Sequence, residues 1–159
     1  MAQSKTSNKA ASQGRAPDAL ALLKADHDLV QDLFAQFEKA RTEKQKTTLA
    51  QEICTELTIH AQIEEEIFYP AVREAIDDED LMDEAEVEHA SAKDLIAQIE
   101  KSAPGEQQFD SKVTVLGEYV KHHIKEEQSE MFRKVRKADL DLKELGAAMS
   151  ARKAELEAE

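Results

Sequence analysis

The stretch His60-Ala61-Gln62-Ile63-Glu64-Glu65-Glu66-Ile67-Phe68-Tyr69-Pro70 decides the fold. His60 and Glu64 are four residues apart, about one turn of an α-helix, so their side chains leave the same face. That face also carries Leu49, Ile53, Leu57, Ile67 and Ala71, the three-and-four spacing of a buried helical stripe. A carboxylate on such a stripe is costly unless it is paired or bound to a cation. Pro70, inside the same run, predicts a kink through its missing N–H and its clash with the preceding turn.

The pattern recurs along the chain. His123 and Glu127 repeat the spacing on a stripe of Val113, Leu116, Val120 and Met131, in a helix expected from about Asp110. A first helix opens at Pro17-Asp18, with Asp26 as a candidate second cap, and runs to about Arg41 with Leu23, His27, Val30, Phe34 and Phe37 inward. The helix with His60 starts near Lys44. The third follows the acidic run Asp77-Asp78-Glu79-Asp80 and carries Met82, Ala85, His89, Ala92, Ile96 and Ile99. Ser102-Ala103-Pro104-Gly105 breaks it. Long helices joined by short loops predict an all-α, up-down-up-down four-helix bundle. It should span 17–138, after a flexible basic tail at 1–16 and before a C-terminal amphipathic helix at 139–159 that carries Leu142, Leu145 and Met149.

Charge narrows the function. The net charge is −13, and the first 16 residues hold Lys5, Lys9 and Arg15 with no acid, which leaves −16 on the rest. A body that acidic should repel nucleic acid and anionic membranes. The single cysteine, Cys54, rules out an internal disulfide and suits a reducing cytoplasm. No apolar run is long enough to span a bilayer. The tail's lack of acids is faintly like a transit peptide, but without large apolar residues a plain tail is the better reading.

The histidines His27, His60, His89, His122 and His123 place at least one imidazole on each long helix. With Glu64 and Glu127 they form two nearly equivalent sets, because the chain almost repeats itself with a period of 33 or 34 residues between paired histidines. Four imidazoles and two carboxylates meeting in one core are best explained by two metals with bridging glutamates. His122-x-x-x-Glu126 has the same spacing as His123-x-x-x-Glu127, but His122 lies about 100° off the stripe, which favours His123. Mixed nitrogen and oxygen donors suit iron, manganese or zinc better than calcium or magnesium. Too few protein ligands remain to saturate two octahedral ions, so positions stay open for water, an oxo bridge or a small molecule.

These residues resemble the hemerythrin-like, HHE cation-binding domains. The resemblance rests on Lys24-Ala25-Asp26-His27, the stretch His60–Pro70, Glu88-His89 and His123-Ile124-Lys125-Glu126-Glu127, and covers about Asp18 to Lys137. It implies a cofactor of two iron ions, oxo- or hydroxo-bridged, held by His27, His60, Glu64, His89, His123 and Glu127. Oxygen-carrying hemerythrins have two histidines four residues apart on the third helix, whereas here Ala85 and Lys93 flank His89 at that spacing. One ligand is then missing or comes from elsewhere, with Glu86 a candidate. The cysteine-containing extension of iron–sulfur repair relatives is also absent from this sequence.

Around the centre, Tyr119 and His122 are candidates for outer positions, and Tyr69 reads as packing near the kink. Glu65, Glu66, Glu126 and Glu130 read as solvated faces, and Cys54 as a buried thiol. Val30, Phe34, Ile53, Leu57, Leu116 and Val120 should line the site and restrict it to dioxygen, peroxide or nitric oxide. The expected function is a non-haem di-iron protein, as an oxidoreductase or peroxide consumer if it turns over. An iron- or oxygen-responsive sensor and a structural zinc bundle are the alternatives. A monomer or weak homo-oligomer is expected.

Overall fold

The computed structural model describes residues 17–159, so the expected basic tail lies outside the described residues. Every regular element among the described residues is helical. Helix α1 spans Ala19–Lys39 and α2 spans Glu43–Ile63. A π-helical turn, Glu64–Phe68, carries α2 into α3, Tyr69–Ala75. Helix α4 is Glu79–Glu100 and α5 is Phe109–Glu126. A second π-helical turn, Glu127–Met131, leads into α6, Phe132–Lys137, and α7 closes the chain at Leu142–Ala158.

The starts follow local chemistry. Asp18 caps α1 by accepting from Ala21 N–H, and Asp78 caps α4 by accepting from Leu81 N–H. Thr42 and Gln45 form a reciprocal capping box on α2, which satisfies two otherwise orphaned donors. Asp26, expected as a second cap, sits inside an unbroken α1 and serves the site instead. Between α4 and α5, Gly105 has a φ of 92°, a left-handed turn conformation that glycine adopts without strain.

Helices α1, α2, α4 and α5 form the bundle. In it α1 packs on α2 and α5, and α4 packs on α2 and α5. The interior divides into two apolar clusters. One gathers Leu23, Ile63, Phe68, Met82, Met131 and Phe132, and the other Val30, Leu33, Ile53, Leu57, Leu116 and Ile124. Burying each large side chain contributes roughly 1.5–3 kcal/mol. The polar residues His27, Glu64, His89 and Glu127 are buried in the layer between the clusters.

Where the kink was expected, the rod makes the first π-helical turn. Tyr69 N–H donates to Glu64 C=O, five residues back, and Pro70 follows directly. Proline is not the whole cause. The second rod makes the same turn, with Phe132 N–H donating to Glu127 C=O, where Arg133 stands at the corresponding position. Both wide turns begin on a buried glutamate, and such turns concentrate at functional sites.

Helix α7 lies across α1 and α2. It buries Met149 and approaches so closely at Gly146 that a Cβ there would stand 2.5 Å from Pro17 O.

Candidate metal centre

The structure brings His27, His60, Glu64, His89, His123 and Glu127 together. One oxygen or nitrogen from each of His27, His60, Glu64 and Glu127 lies within 4.8 Å of the others, and Glu64, His89 and His123 form a second such group. Glu64 is common to both. Its Oε1 is 3.2 Å from His60 Nε2 and 3.1 Å from His89 Nε2. Glu127 also spans the halves, with Oε1 3.2 Å from His27 Nε2 and Oε2 3.2 Å from His123 Nε2.

Each imidazole is oriented from behind. His27 Nδ1–H donates to Gln128 Oε1 at 2.8 Å, and His60 Nδ1–H to Asp26 Oδ2 at 3.0 Å. His89 Nδ1–H donates to Glu65 Oε2 at 2.8 Å, and His123 Nδ1–H to Glu88 Oε1 at 2.6 Å. An oxygen that can only accept fixes the proton on Nδ1, which leaves every Nε2 facing inward as the donor a metal requires. The sequence reading missed these supports: Glu65 is no merely solvated residue, and Glu88 and Gln128 had no assigned role. Their signal was faint. It consists of a polar residue next to a ligand or a turn away from one, on the flank of an apolar stripe.

Charge in the pocket is set by burial working against close opposite partners. Burial opposes charge on His60, but Glu64, Asp26 and Glu127 overcome it and push the imidazole up to about 10. Burial likewise opposes charge on His123, and Glu127, Glu88 and Glu64 push it up to about 11. Burial would raise Glu127, yet His123 and His27 hold it well below the usual carboxylate range. Positive charge is therefore in demand here, from protons or from cations.

Tyr69 is the largest revision of the sequence reading. Its Oη donates to Glu127 Oε2 at 2.6 Å and lies 3.1 Å from His89 Nε2 and 3.2 Å from His123 Nε2. Burial, then Glu127 and Glu64, raises its phenol well above its ordinary value, so it keeps its proton. Phe132 occupies the matching place in the other half and stacks on His27 with ring centroids 6.1 Å apart. The two halves thus share ligand types, and the phenol hydroxyl stands on one side only.

Other candidates fall outside. Glu86 is exposed and pairs with Arg73 at 3.0 Å, so it does not fill the gap on α4. Tyr119 is 51% exposed and turned to the surface. His122 is 64% exposed, with Glu126 3.3 Å away.

The donors fit metal ions. His27 Nε2, His60 Nε2, Glu64 Oε2 and Glu127 Oε1 are buried without hydrogen-bond partners, and leaving such atoms unmet costs roughly 1–3 kcal/mol each. Residues 18–135 match the hemerythrin HHE cation binding domain. The chain belongs to that family. A crystal structure of a hemerythrin HHE cation binding domain-containing protein from Mycobacterium kansasii is similar at 25% identity, with a TM-score of 0.76, covering 89% of this chain and 88% of that one. A DNA nickase from Nostoc sp. is 30% identical over 115 residues, or 72% of this chain. The match spans about a third (32%) of that relative's length. This HHE-family chain therefore has the bundle and a histidine–glutamate cluster suited to binding cations.

Proposed function

We propose that the chain is a non-haem di-iron protein whose buried centre binds or reacts with dioxygen, peroxide or nitric oxide. The observation that carries this reading is the set of inward-facing, unpartnered atoms on His27, His60, Glu64 and Glu127. His27 and His60 would hold one metal and His89 and His123 the other, with Glu64 and Glu127 shared. The choice of iron rests on the family resemblance, since the donor set also admits manganese and zinc.

A pair of irons, when bound, supplies redox electrons and open coordination positions. The chain supplies the rest. The four Nδ1–H bonds keep the imidazoles aimed and basic. Tyr69 holds a proton at Oη beside Glu127 Oε2, in the half where α4 lacks another histidine. A cavity of about 20 Å³ touches His27 and His60 and is walled by Val30, Leu57, Val120 and Ile124. That volume is close to the space of a single water, which suits a diatomic or similarly small molecule. Anaerobic iron loading followed by air should produce strong near-ultraviolet di-ferric absorption. Peroxide added to the same sample tests turnover. A chain that takes up no iron and gains no absorption contradicts the reading.

A sensor without turnover is the second reading. Lys153 on α7 donates to Asp26 Oδ1 at 2.6 Å, and the other oxygen of Asp26 accepts from His60. Helix α7 is thereby tied to the centre through one carboxylate. Metal-dependent hydrogen exchange in α7 would favour this reading, and exchange changes confined to the ligands would count against it. DNA nicking is not carried over from the Nostoc relative, because a −13 chain opposes a phosphate backbone and matches a third of that protein.

A further inference from the structure

The residues behind the four imidazoles are not equivalent. Asp26 receives Lys153, and Glu65 receives Lys93 at 2.5 Å. Gln128 is neutral. Glu88 differs: among the described residues it forms no ion pair with Lys or Arg. Its Oε1 accepts from the inner ligand His123, and its Oε2 faces His122 Nε2 at 3.8 Å. Glu126, one turn beyond His122, places Oε1 3.3 Å from the same nitrogen and likewise has no Lys or Arg partner among the described residues. Two carboxylates and an imidazole therefore meet where the other outer carboxylates find a lysine.

Their donor atoms lie within 4.8 Å of one another. Metal–ligand bonds of about 2.0–2.2 Å separate neighbouring donors by roughly 3–3.5 Å, so small side-chain rotations would close the cluster on an ion. Glu88 is already fixed by His123, and His122 and Glu126 share one helix face at four-residue spacing. The cluster borders a depression of about 270 Å³ whose walls include His89, His123 and the exposed Val87 and Tyr119. On the opposite side of the bundle, α7 covers the equivalent ground.

We propose that Glu88, His122 and Glu126 form a third, surface site for a divalent transition metal, from which ions reach the inner centre through the depression over His89 and His123. The second half of this statement rests on the di-iron reading above, and the first half does not. The cation would stand where Lys153 and Lys93 stand for Asp26 and Glu65. Because Glu88 also aims His123, filling the outer site would hold an inner ligand in place as the ion passes.

The test uses the full chain and Co(II) as probe, in equilibrium dialysis and in stopped-flow loading, with His122→Ala and Glu126→Gln combined. Both positions are surface residues and the fold should survive, which far-UV circular dichroism checks. The wild type should bind a third, weaker equivalent that the double variant loses, and the inner pair should fill several-fold more slowly in the variant. With the inner pair first filled by diamagnetic Zn(II), which Mn(II) does not displace, substoichiometric Mn(II) should broaden the His122 ring resonances of the wild type. Binding limited to two equivalents, or a third retained by the variant, overturns the surface site. Loss of the third equivalent with unchanged inner loading overturns the route inward. A chain that fills no inner pair but still broadens His122 with Mn(II) refutes the di-iron reading and leaves the surface site standing.

Discussion

Tyr69 Oη donates to Glu127 Oε2 at 2.6 Å, joining α3 to the start of the second π-helical turn. Phe132, its counterpart, has no hydroxyl to place against His27. The pseudo-symmetric centre thus carries a phenol oxygen on one side only. Replacing Tyr69 by Phe keeps the packing and removes the shorter of the two donors to Glu127 Oε2, leaving His123 Nε2 at 3.2 Å. The metal-free variant should lose about 1–3 kcal/mol of stability. Urea unfolding measures the loss, and an unchanged midpoint would show that the bond contributes nothing.

Asp26→Asn should weaken metal binding without removing a ligand. Asparagine cannot match the carboxylate that orients His60 and receives Lys153. Supporting residues of this kind are worth about 10–100-fold in metal affinity. Chelator competition should show a loss of that size, with the metal-to-protein ratio unchanged at saturation.

The metal-free protein should lose stability in alkali. His60 and His123 rise from an ordinary 6.5 to about 10 and about 11 on folding. A raised pKa in the folded state means that the stabilisation is complete below pH 6.5 and disappears as pH climbs through 10 to 11. Metal would replace those protons, so the loaded protein should lack this alkaline decline. Loading at pH 8 should also release protons, at least those of His60 and His123, or about two per chain. Thermal melts across the pH range and a pH-stat titration check both statements.

Gly146→Ala should loosen α7. The added Cβ would meet backbone atoms, Pro17 O at 2.5 Å and Asp18 C at 2.6 Å, and neither can rotate away. Overpacking of this kind costs about 1–3 kcal/mol. Hydrogen exchange should quicken in α7 and remain slow in α4 and α5.

The helices and the six inward donors were legible because each lies on an apolar stripe with helical period, and a buried histidine or glutamate stands out there. Tyr69 was not legible for a geometric reason. In a regular α-helix a residue five beyond Glu64 points about 140° away from it. The five-residue hydrogen bond of the π-helical turn widens the rod and returns Tyr69 to the face of Glu64. No stripe analysis with a fixed period registers that turn, although the nine-residue interval from His60 to Tyr69 and from His123 to Phe132 marks both rods. Glu86 misled for the opposite reason. Three residues before His89 it lies only about 60° round the helix from that ligand, yet it turns outward and pairs with Arg73 at the surface.

The central claim is a paired iron centre built from two near-repeats. Metal analysis of the chain purified from its own host, after gel filtration to remove loosely held ions, tests it most directly. The account predicts two irons per chain. A single zinc, or no metal that His27→Ala and His89→Ala reduce, would contradict it.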